Sequence, residues 1–385
     1  MTTAGPLPPD PIPLLVPDVP APEALLPYLQ RMHAARYYSN GGPLVRELEE
    51  RFAAHFCVPA EQVATVGSAT LGLELVLQAL GLRAGARVLV PTFTFAATAT
   101  AVLRAGHVPV LCDVDADSWL LTPDIARAAL AAGPLDAVLP VAALGMPHDM
   151  AQWQRFEQET GLPVVVDAAA GFGSQRLGDA AGTLVFSLHA TKSLPAGEGG
   201  FVVSTRPGLA AQVRRLSNFG INLDPASRMP IGALAAVGTN AKMSELHAAV
   251  ALASLERWDQ GALERRALHR EMQGALAHAA GGRIAWQAAG PAGGIMAPTL
   301  LCARMPDARS RERLEVLCAR QHIATRRWYQ PLMHRMEVLM SRSAALPAPR
   351  AEALADTLVG LPFFPHMDSA QKLRLANVMA QAMGR

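Results

Sequence analysis

The sequence has few cysteines, few charged residues and no apolar run long enough to cross a membrane. Its four cysteines, in a chain of 385 residues, are scattered without the spacing of a metal site, and we expect reduced thiols. The N-terminus lacks the charged segment and apolar core of a secretory signal. We therefore expect a cytoplasmic protein with no metal centre and no membrane partner.

Charge is also nearly balanced along the chain. Charged residues make up 17% of the sequence, the formal net charge is +2, and no long run of lysine or arginine occurs. We therefore expect no nucleic-acid partner. Hydrophobic residues make up 51% of a chain that is long enough to bury the cores of two domains.

The order of segments predicts an α/β protein. Residues 1–22 are crowded with proline and predict an extended arm, which could lie over a partner subunit. Strand-like and helix-like segments alternate over residues 63–204, which predicts a mainly parallel sheet flanked by helices. We expect a large domain at 23–255 and a smaller α+β domain at 256–385, joined by one long helix over 243–270.

One lysine lies between two short apolar segments. Residues 185–200 read VFSLHATKSLPAGEGG, with Lys192 in the polar middle. The pattern predicts a strand, a tight exposed turn and a return strand, and we expect this pair at the edge of the sheet. Burial between strands would lower the pKa of Lys192, as a Schiff-base lysine requires, although an ordinary loop lysine is the commoner case.

A carboxylate follows another apolar run. Residues 163–166 predict a buried strand, and Asp167 follows at its carboxyl end, where parallel sheets bind ligands. Asp167 by itself could equally be a helix N-cap. Together with Lys192 it indicates pyridoxal 5′-phosphate (PLP), a cofactor that needs a lysine for its aldehyde and an anion beside its ring nitrogen.

Small hydroxyl residues open a helix upstream of this pair. A short strand at 63–66 is followed by Gly67, Ser68, Ala69 and Thr70 and then by an apolar helix. Free N–H groups and hydroxyls at such a helix start can bind a phosphate, although serine and threonine are also common caps. Ser187, at a strand end, could add a further hydroxyl.

The sequence as a whole resembles one family. The motifs that carry the resemblance occur in one order along the chain: SNGGP at 39–43, GSAT at 67–70, VPTFTFAAT at 90–98, DVD at 113–115, DAA at 167–169, SLHATK at 187–192, GEGG at 197–200 and GTNAKMSE at 238–245. This ordered set is similar to the DegT/DnrJ/EryC1/StrS family of PLP-dependent nucleotide-sugar aminotransferases. The resemblance implies fold type I, the aspartate aminotransferase-like fold.

The resemblance implies roles for the residues around the cofactor ring. Lys192 would bind the PLP aldehyde and later move a proton, Asp167 would pair with the pyridinium nitrogen, and Phe95 would stack on the ring. The family usually has glutamine or histidine three residues after the aspartate, and this chain has Ala170 there. One cofactor contact of the family is therefore absent from that position.

The resemblance also implies how the phosphate is held and how subunits assemble. Ser68, Ala69, Thr70 and Ser187 would bind the phosphate of the same chain's cofactor. Asn240 or Lys242 would reach the phosphate in the neighbouring subunit. A homodimer with shared active sites is therefore expected.

The implied reaction moves an amino group from an amino acid, glutamate, to a nucleotide-linked keto-deoxy-sugar, for aminosugar or polysaccharide biosynthesis. Three alternatives remain: a related sugar dehydratase, which would carry histidine in place of Lys192; another fold-type I reaction; and a PLP-binding regulator without turnover. We expect His189 to be a packed, hydrogen-bonded structural histidine, and Glu198 could bind backbone N–H groups in the glycine turn. Residues 325–334 could contact a phosphorylated or sugar ligand, or could form an interface-facing or solvated loop.

Overall fold

The structure, a computed structural model, describes residues 10–384, so residues 1–9 of the expected proline-rich arm lie outside it. The helices in this range are α1 (Pro22–Ala35), α2 (Pro43–Phe56), α3 (Ala69–Ala79), α4 (Ala96–Arg104), α5 (Pro123–Ala132), α6 (Met150–Thr160), α7 (Leu209–Ser217), α8 (Glu245–Glu256), α9 (Trp258–Ala279), α10 (Ala308–Arg320), α11 (Glu337–Met340), α12 (Pro349–Thr357) and α13 (Ser369–Ala382). None of the helices within residues 10–384 is long and apolar enough to span a membrane.

The strands form two four-stranded groups and one separate pair. They are β1 (Val63–Val66), β2 (Arg87–Pro91), β3 (Val108–Cys112), β4 (Ala137–Val138), β5 (Val166–Asp167), β6 (Thr183–Ser187), β7 (Gly200–Ser204), β8 (Leu301–Arg304), β9 (Ala344–Ala345) and β10 (Leu358–Leu361). The orders are β1-β7-β6-β5 and β4-β2-β3-β9, with β8 and β10 paired on their own. Parallel bridges from Val138 to Val164 and from Val141 to Asp167 join the two larger groups.

Most strand pairs in the joined sheet are parallel, in agreement with the α/β expectation. Strand β7 is the exception, because it runs antiparallel to both β1 and β6. The expectation that this strand would form the edge of the sheet was wrong, since β7 lies between β1 and β6. Its five residues are buried, which agrees with an interior position.

Apolar side chains cover both faces of the sheet. Along β2, Leu89 packs into one cluster while Val88 and Val90 pack into another on the opposite face. Successive side chains of a strand point to opposite faces, so a strand that is apolar throughout needs helices on both sides. A third cluster, built mainly from α9, α10, α13, β8 and β10, lies outside this sheet. On this basis we propose 23–255 as the large domain and 256–385 as the smaller one.

The connection that carries Lys192 is not a tight exposed turn, and that expectation was wrong. Residues 188–199 form a longer connection in which Leu188, Leu194 and Ala196 are fully buried. The N–H of Ala196 donates to the carbonyl of Leu188 at 2.7 Å and folds the connection back on itself. The buried apolar side chains hold the backbone around Lys192 against the core.

The single long helix expected over 243–270 is also divided. Helix α8 ends at Glu256 and α9 begins at Trp258, with Arg257 outside helical geometry at φ −104° and ψ 7°. The guanidinium groups of Arg257 and the buried Arg265 both bind Asp18. The described part of the N-terminal arm therefore lies against α9 of its own chain.

A buried carboxylate connects α8 to the start of α2. Glu245 is fully buried and accepts hydrogen bonds from the N–H groups of Leu44 and Val45, at 2.8 and 2.9 Å. These are among the first N–H groups of α2, which have no partner inside the helix. Glu245 therefore acts as a distant N-cap for α2.

We expect Glu245→Ala to lower the free energy of unfolding by about 2 kcal/mol, because two buried N–H groups lose a charged acceptor. Urea denaturation followed by circular dichroism measures this change. Glu50→Ala, at an exposed position of the same α2, is the control and should change stability by less than about 0.5 kcal/mol. Equal effects of the two substitutions would contradict the capping role.

Candidate active site

A cavity of about 390 Å³ lies at the carboxyl ends of β5 and β6. Its wall contains every residue that the sequence predicted for the chain's own cofactor site: Ser68, Ala69, Thr70, Phe95, Asp167, Ser187 and Lys192. Ligands bind at this end of the strands in open parallel sheets. The fold thus brings residues separated by more than a hundred positions in sequence to one cavity, which we call the Lys192 cavity.

Asp167 is held in this cavity by two hydrogen bonds. The hydroxyl of Thr98 donates to Oδ2 at 2.7 Å, and the N–H of Ala169 donates to Oδ1 at 3.1 Å. The Thr94 hydroxyl lies 2.8 Å from that of Thr98 and extends the network. Burial raises the pKa of Asp167, while these donors and the Lys192 ammonium favour the ionised form.

Lys192 lies in the same wall. Burial lowers its pKa from the ordinary value, and the charge of Asp167 opposes that shift. The lower pKa leaves more of the side chain as the free amine near neutral pH. The free amine is the form that attacks an aldehyde, so the environment of Lys192 suits imine chemistry.

The start of α3 and the end of β6 meet at a glycine. In the strand register Gly200 lies opposite Val66 on one side and Ser187 on the other. A Cβ atom at Gly200 would lie 2.6 Å from the backbone nitrogen of Ala69, so only glycine allows this approach. Because of it, the Ser68–Thr70 turn and Ser187 lie side by side.

This junction fits the phosphate of PLP. The Ser68 hydroxyl accepts from the N–H of Leu71 at 3.3 Å, while Ala69 and Thr70, whose N–H groups have no acceptor inside the helix, line the cavity. Backbone N–H groups at a helix start bind phosphate well. The ring end of PLP fits as well, because Asp167 supplies the anion and the ring of Phe95, which is 57% exposed, is free to cover a ligand.

Asn240 and Lys242 do not line the Lys192 cavity. The Lys242 ammonium donates to the Asn240 side-chain oxygen at 2.7 Å and lies 4.6 Å from the centre of the Phe219 ring. Asn240 is exposed, and partial burial lowers the pKa of Lys242. Contact of these residues with a neighbouring subunit's cofactor remains a prediction.

His189 and Glu198 interact with each other at the cavity wall. The His189 Nε2 atom lies 3.6 Å from Glu198 Oε1, and His189 Nδ1 lies 2.9 Å from the Thr191 hydroxyl. His189 is hydrogen-bonded as expected, but its side chain is 45% exposed and is not packed in the core. Glu198 faces this histidine, so the expectation that it binds backbone N–H groups was wrong.

Sequence reasoning missed several residues of the cavity. Thr98 was not predicted to bind Asp167, although Thr94 and Thr98 have the i, i+4 spacing that places two hydroxyls on one side of a helix start. The residues missed from the smaller domain and the arm are Leu15, Thr299 and Leu300. Arg326, Trp328 and Tyr329 also line the cavity, and they lie in the 325–334 segment that the sequence offered as a possible ligand contact.

Ala170 contributes only a methyl group to the cavity wall. Its carbonyl oxygen lies against Gly145, where a Cβ would come within 2.9 Å. The neighbouring Leu144 donates its N–H to the Tyr329 hydroxyl at 3.5 Å. The wall near Ala170 is therefore completed by a tyrosine from a distant segment, whose pKa burial raises.

The sheet order and the Lys192–Asp167 cavity define the class of protein, a PLP-dependent enzyme of fold type I. Residues 22–380 match the DegT/DnrJ/EryC1/StrS aminotransferase family, and the chain belongs to it. PLP is therefore the cofactor, and the protein is a PLP-dependent sugar aminotransferase.

Solved structures support this membership. DesI, studied in the presence of its TDP-sugar product, is 32% identical with a TM-score of 0.86, and the match covers 98% of this chain and 95% of DesI. DesV from S. venezuelae is 28% identical with a TM-score of 0.81, over 96% and 100%. The aminotransferase TlmJ from Streptoalloteichus hindustanus is 26% identical with a TM-score of 0.84, over 97% and 99%.

We expect Thr98→Val to raise the dissociation constant for PLP about tenfold, because Asp167 loses a charge-assisted hydrogen bond. Titration of the apoenzyme with PLP, followed by visible absorption, measures it. Thr100→Val is the matched control, since Thr100 lies on the same α4 and its hydroxyl donates to the helix carbonyl of Ala96 at 2.9 Å. PLP affinity that is the same in both variants would contradict the role of Thr98.

Proposed function

We propose that this protein moves an amino group from glutamate to the keto group of a nucleotide-linked keto-deoxy-sugar. The observation that carries the proposal is the presence of Lys192 and Asp167 in one cavity beside the phosphate-binding turn. When bound, PLP supplies an electron sink for the carbon that loses or gains the amino group. The product would be an aminosugar for a polysaccharide or a glycosylated metabolite.

The residues of the cavity have different roles in this reaction. The free amine of Lys192 would bind the cofactor aldehyde, and Lys192 would also carry a proton to and from the reacting carbon. Asp167, fixed by Thr98, would keep a proton on the ring nitrogen. Phe95 would stack on the ring, and the Ser68–Thr70 turn with Ser187 would hold the phosphate.

Three observations bear on the substrate and on the alternatives. The structure of DesI, at 32% identity, was determined in the presence of its TDP-sugar product, and this supports a nucleotide sugar as the acceptor here. A sugar dehydratase would carry histidine at position 192, and this chain has lysine. Loss of Lys192 or Asp167 would favour a PLP-binding regulator without turnover, and this chain has both residues.

We also propose a C2 dimer whose two sites are shared. Residues 218–239, the apolar loop, expose Leu223, Ile231, Leu234 and Val237 by 62% to 87%. Exposed apolar groups clustered in this way favour a protein contact. The loop is joined to Asn240 by the Asn218–Asn240 bridge, so a second copy covering it would lie close to Asn240 and Lys242.

The reaction class is tested by trapping PLP on the protein. The chain has three lysines, so borohydride reduction followed by peptide mass spectrometry identifies the attachment site directly. We expect the label on Lys192, a visible band that bleaches with glutamate, and loss of both in Lys192→Ala. Lys372→Ala, which removes a surface partner of Glu271, is the control and should keep both signals. A wild-type protein without the band would contradict the proposed function.

Sharing of sites between subunits is tested by mixing two inactive variants. In a heterodimer of Lys192→Ala with the double variant Asn240→Ala/Lys242→Ala, one of the two sites keeps all three side chains. Random pairing at equal amounts should therefore restore about a quarter of the wild-type sites. Co-purification with two different tags and PLP absorption measure the result. Activity no greater than that of the separate variants would contradict shared sites.

A further inference from the structure

A second cavity lies next to the Lys192 cavity. Its volume is about 350 Å³, which is enough for a small organic molecule. Helix α9 forms one side of this cavity, and the segment at 287–302 forms the opposite side. Among the described lining residues only Leu300 belongs to both cavities, so the two spaces are separate. We call the second space the α9 cavity.

Two arginines one helical turn apart line the α9 cavity. Arg266 and Arg270 both belong to α9, and a spacing of four residues places their side chains on one face of the helix. Within residues 10–384 neither guanidinium binds a carboxylate, whereas the nearby Arg257 and Arg265 both bind Asp18. The described lining residues include no aspartate or glutamate. The wall therefore carries two positive charges that no described carboxylate neutralises.

Contacts across the α9 cavity hold its two sides together. The Arg266 Nη1 atom lies 3.4 Å from the sulfur of Met296, which belongs to the opposite side. His269, which lies between the two arginines in sequence, hydrogen-bonds to the backbone of Leu300. Burial lowers the pKa of His269 to about 4, so its ring is neutral near pH 7. The positive charge of this cavity therefore comes from the two arginines.

An amide and an apolar floor complete the α9 cavity. The side-chain nitrogen of Gln287 donates to the carbonyls of Ser118 and Ala143, at 2.7 and 3.2 Å, which leaves its side-chain oxygen free to accept a hydrogen bond. Gln273 of α9 lies in the same wall. The floor consists of apolar side chains that are almost fully buried: Trp119, Leu144 and Met146. Ligand cavities commonly combine such an apolar surface with a few fixed polar groups.

We propose that the α9 cavity binds a small phosphate ester with a flat ring, the chemistry of a nucleoside monophosphate. Each guanidinium presents a planar edge of N–H donors, so Arg266 and Arg270 together bind the oxygens of one phosphate. The apolar floor packs against the ring, and the amides of Gln273 and Gln287 bind its polar edge. This site goes beyond the proposed function, because its ligand contacts neither Lys192 nor Asp167.

Photocross-linking with 4-thiouridine monophosphate tests this site specifically. After irradiation of the PLP enzyme, peptide mass spectrometry should find the label on segments that line the α9 cavity, at 119, 144–146 or 287–302. The yield at these peptides as a function of concentration gives a dissociation constant for this site alone. We expect Arg266→Gln/Arg270→Gln to raise it about 10- to 100-fold with an unchanged PLP band, because the phosphate loses charged donors. Arg266→Lys/Arg270→Lys should recover part of the loss.

Arg309→Gln/Arg313→Gln is the matched control and should leave the labelling unchanged. These two exposed arginines have the same spacing on α10 but do not line the cavity.

Three results would overturn the proposal. The first is label found only on peptides of the Lys192 cavity, since the nucleotide would then bind only at the substrate site. The second is equal labelling of the wild type and Arg266→Gln/Arg270→Gln. The third is uridine that competes as well as uridine monophosphate, because the phosphate would then contribute nothing. A wild-type protein without a PLP band would contradict the proposed function but would leave this test of the α9 cavity intact.

Discussion

The active site depends most on the opposite charges of Asp167 and Lys192, which lie in a buried environment that disfavours both of them. Burial raises the pKa of Asp167 and lowers that of Lys192, so burial favours the neutral form of each group. The Thr98 hydroxyl and the Ala169 N–H stabilise the carboxylate at fixed positions, and the two charges stabilise each other. A carboxylate maintained in this way can hold a proton on a cofactor ring, while the amine opposite it stays partly free to react. The chemistry of the site therefore depends on two opposing effects. Burial favours the neutral forms, and the hydrogen-bond donors of Thr98 and Ala169 favour the carboxylate.

The antiparallel strand β7 is what assembles the rest of the site around this pair. It inserts between β1 and β6, so Gly200 lies beside both Val66 and Ser187. The phosphate-binding turn follows Val66 directly, and the missing side chain of Gly200 lets that turn lie on the strand. The connection from β6 to β7 carries Lys192, so one strand insertion positions both the amine and the phosphate end. A side chain larger than hydrogen at Gly200 would push these two parts of the site away from each other.

Much of the fold and of the active site could be predicted from the sequence. The features that could not be predicted depend on contacts between distant parts of the chain. The segments around Lys192, Asp167 and Ser68 carry local patterns of strand, turn and helix start, and all three lie in one cavity as expected. The position of β7 could not be predicted, because two consecutive strands read as a simple pair and nothing local shows that β1 also joins them. At the break, Arg257 forms an ion pair with Asp18, a residue far away in sequence, and no local pattern shows this contact. Residues 326–329 could be named only as a possible ligand contact, because tertiary packing brings the smaller domain to the cavity.

The two sides of the cavity differ in how they are built, and this suggests a division between cofactor and substrate. The cofactor side comes from strand ends and helix starts, where backbone approaches such as that at Gly200 leave little freedom for change. The opposite side comes from the segment at 326–329, which offers a stacked arginine, two aromatic rings and a backbone paired with β10. Aromatic and guanidinium groups bind flat rings and anions without demanding one covalent framework. Substitutions in this segment can therefore alter which donor or acceptor is bound while the chemistry at Lys192 stays the same.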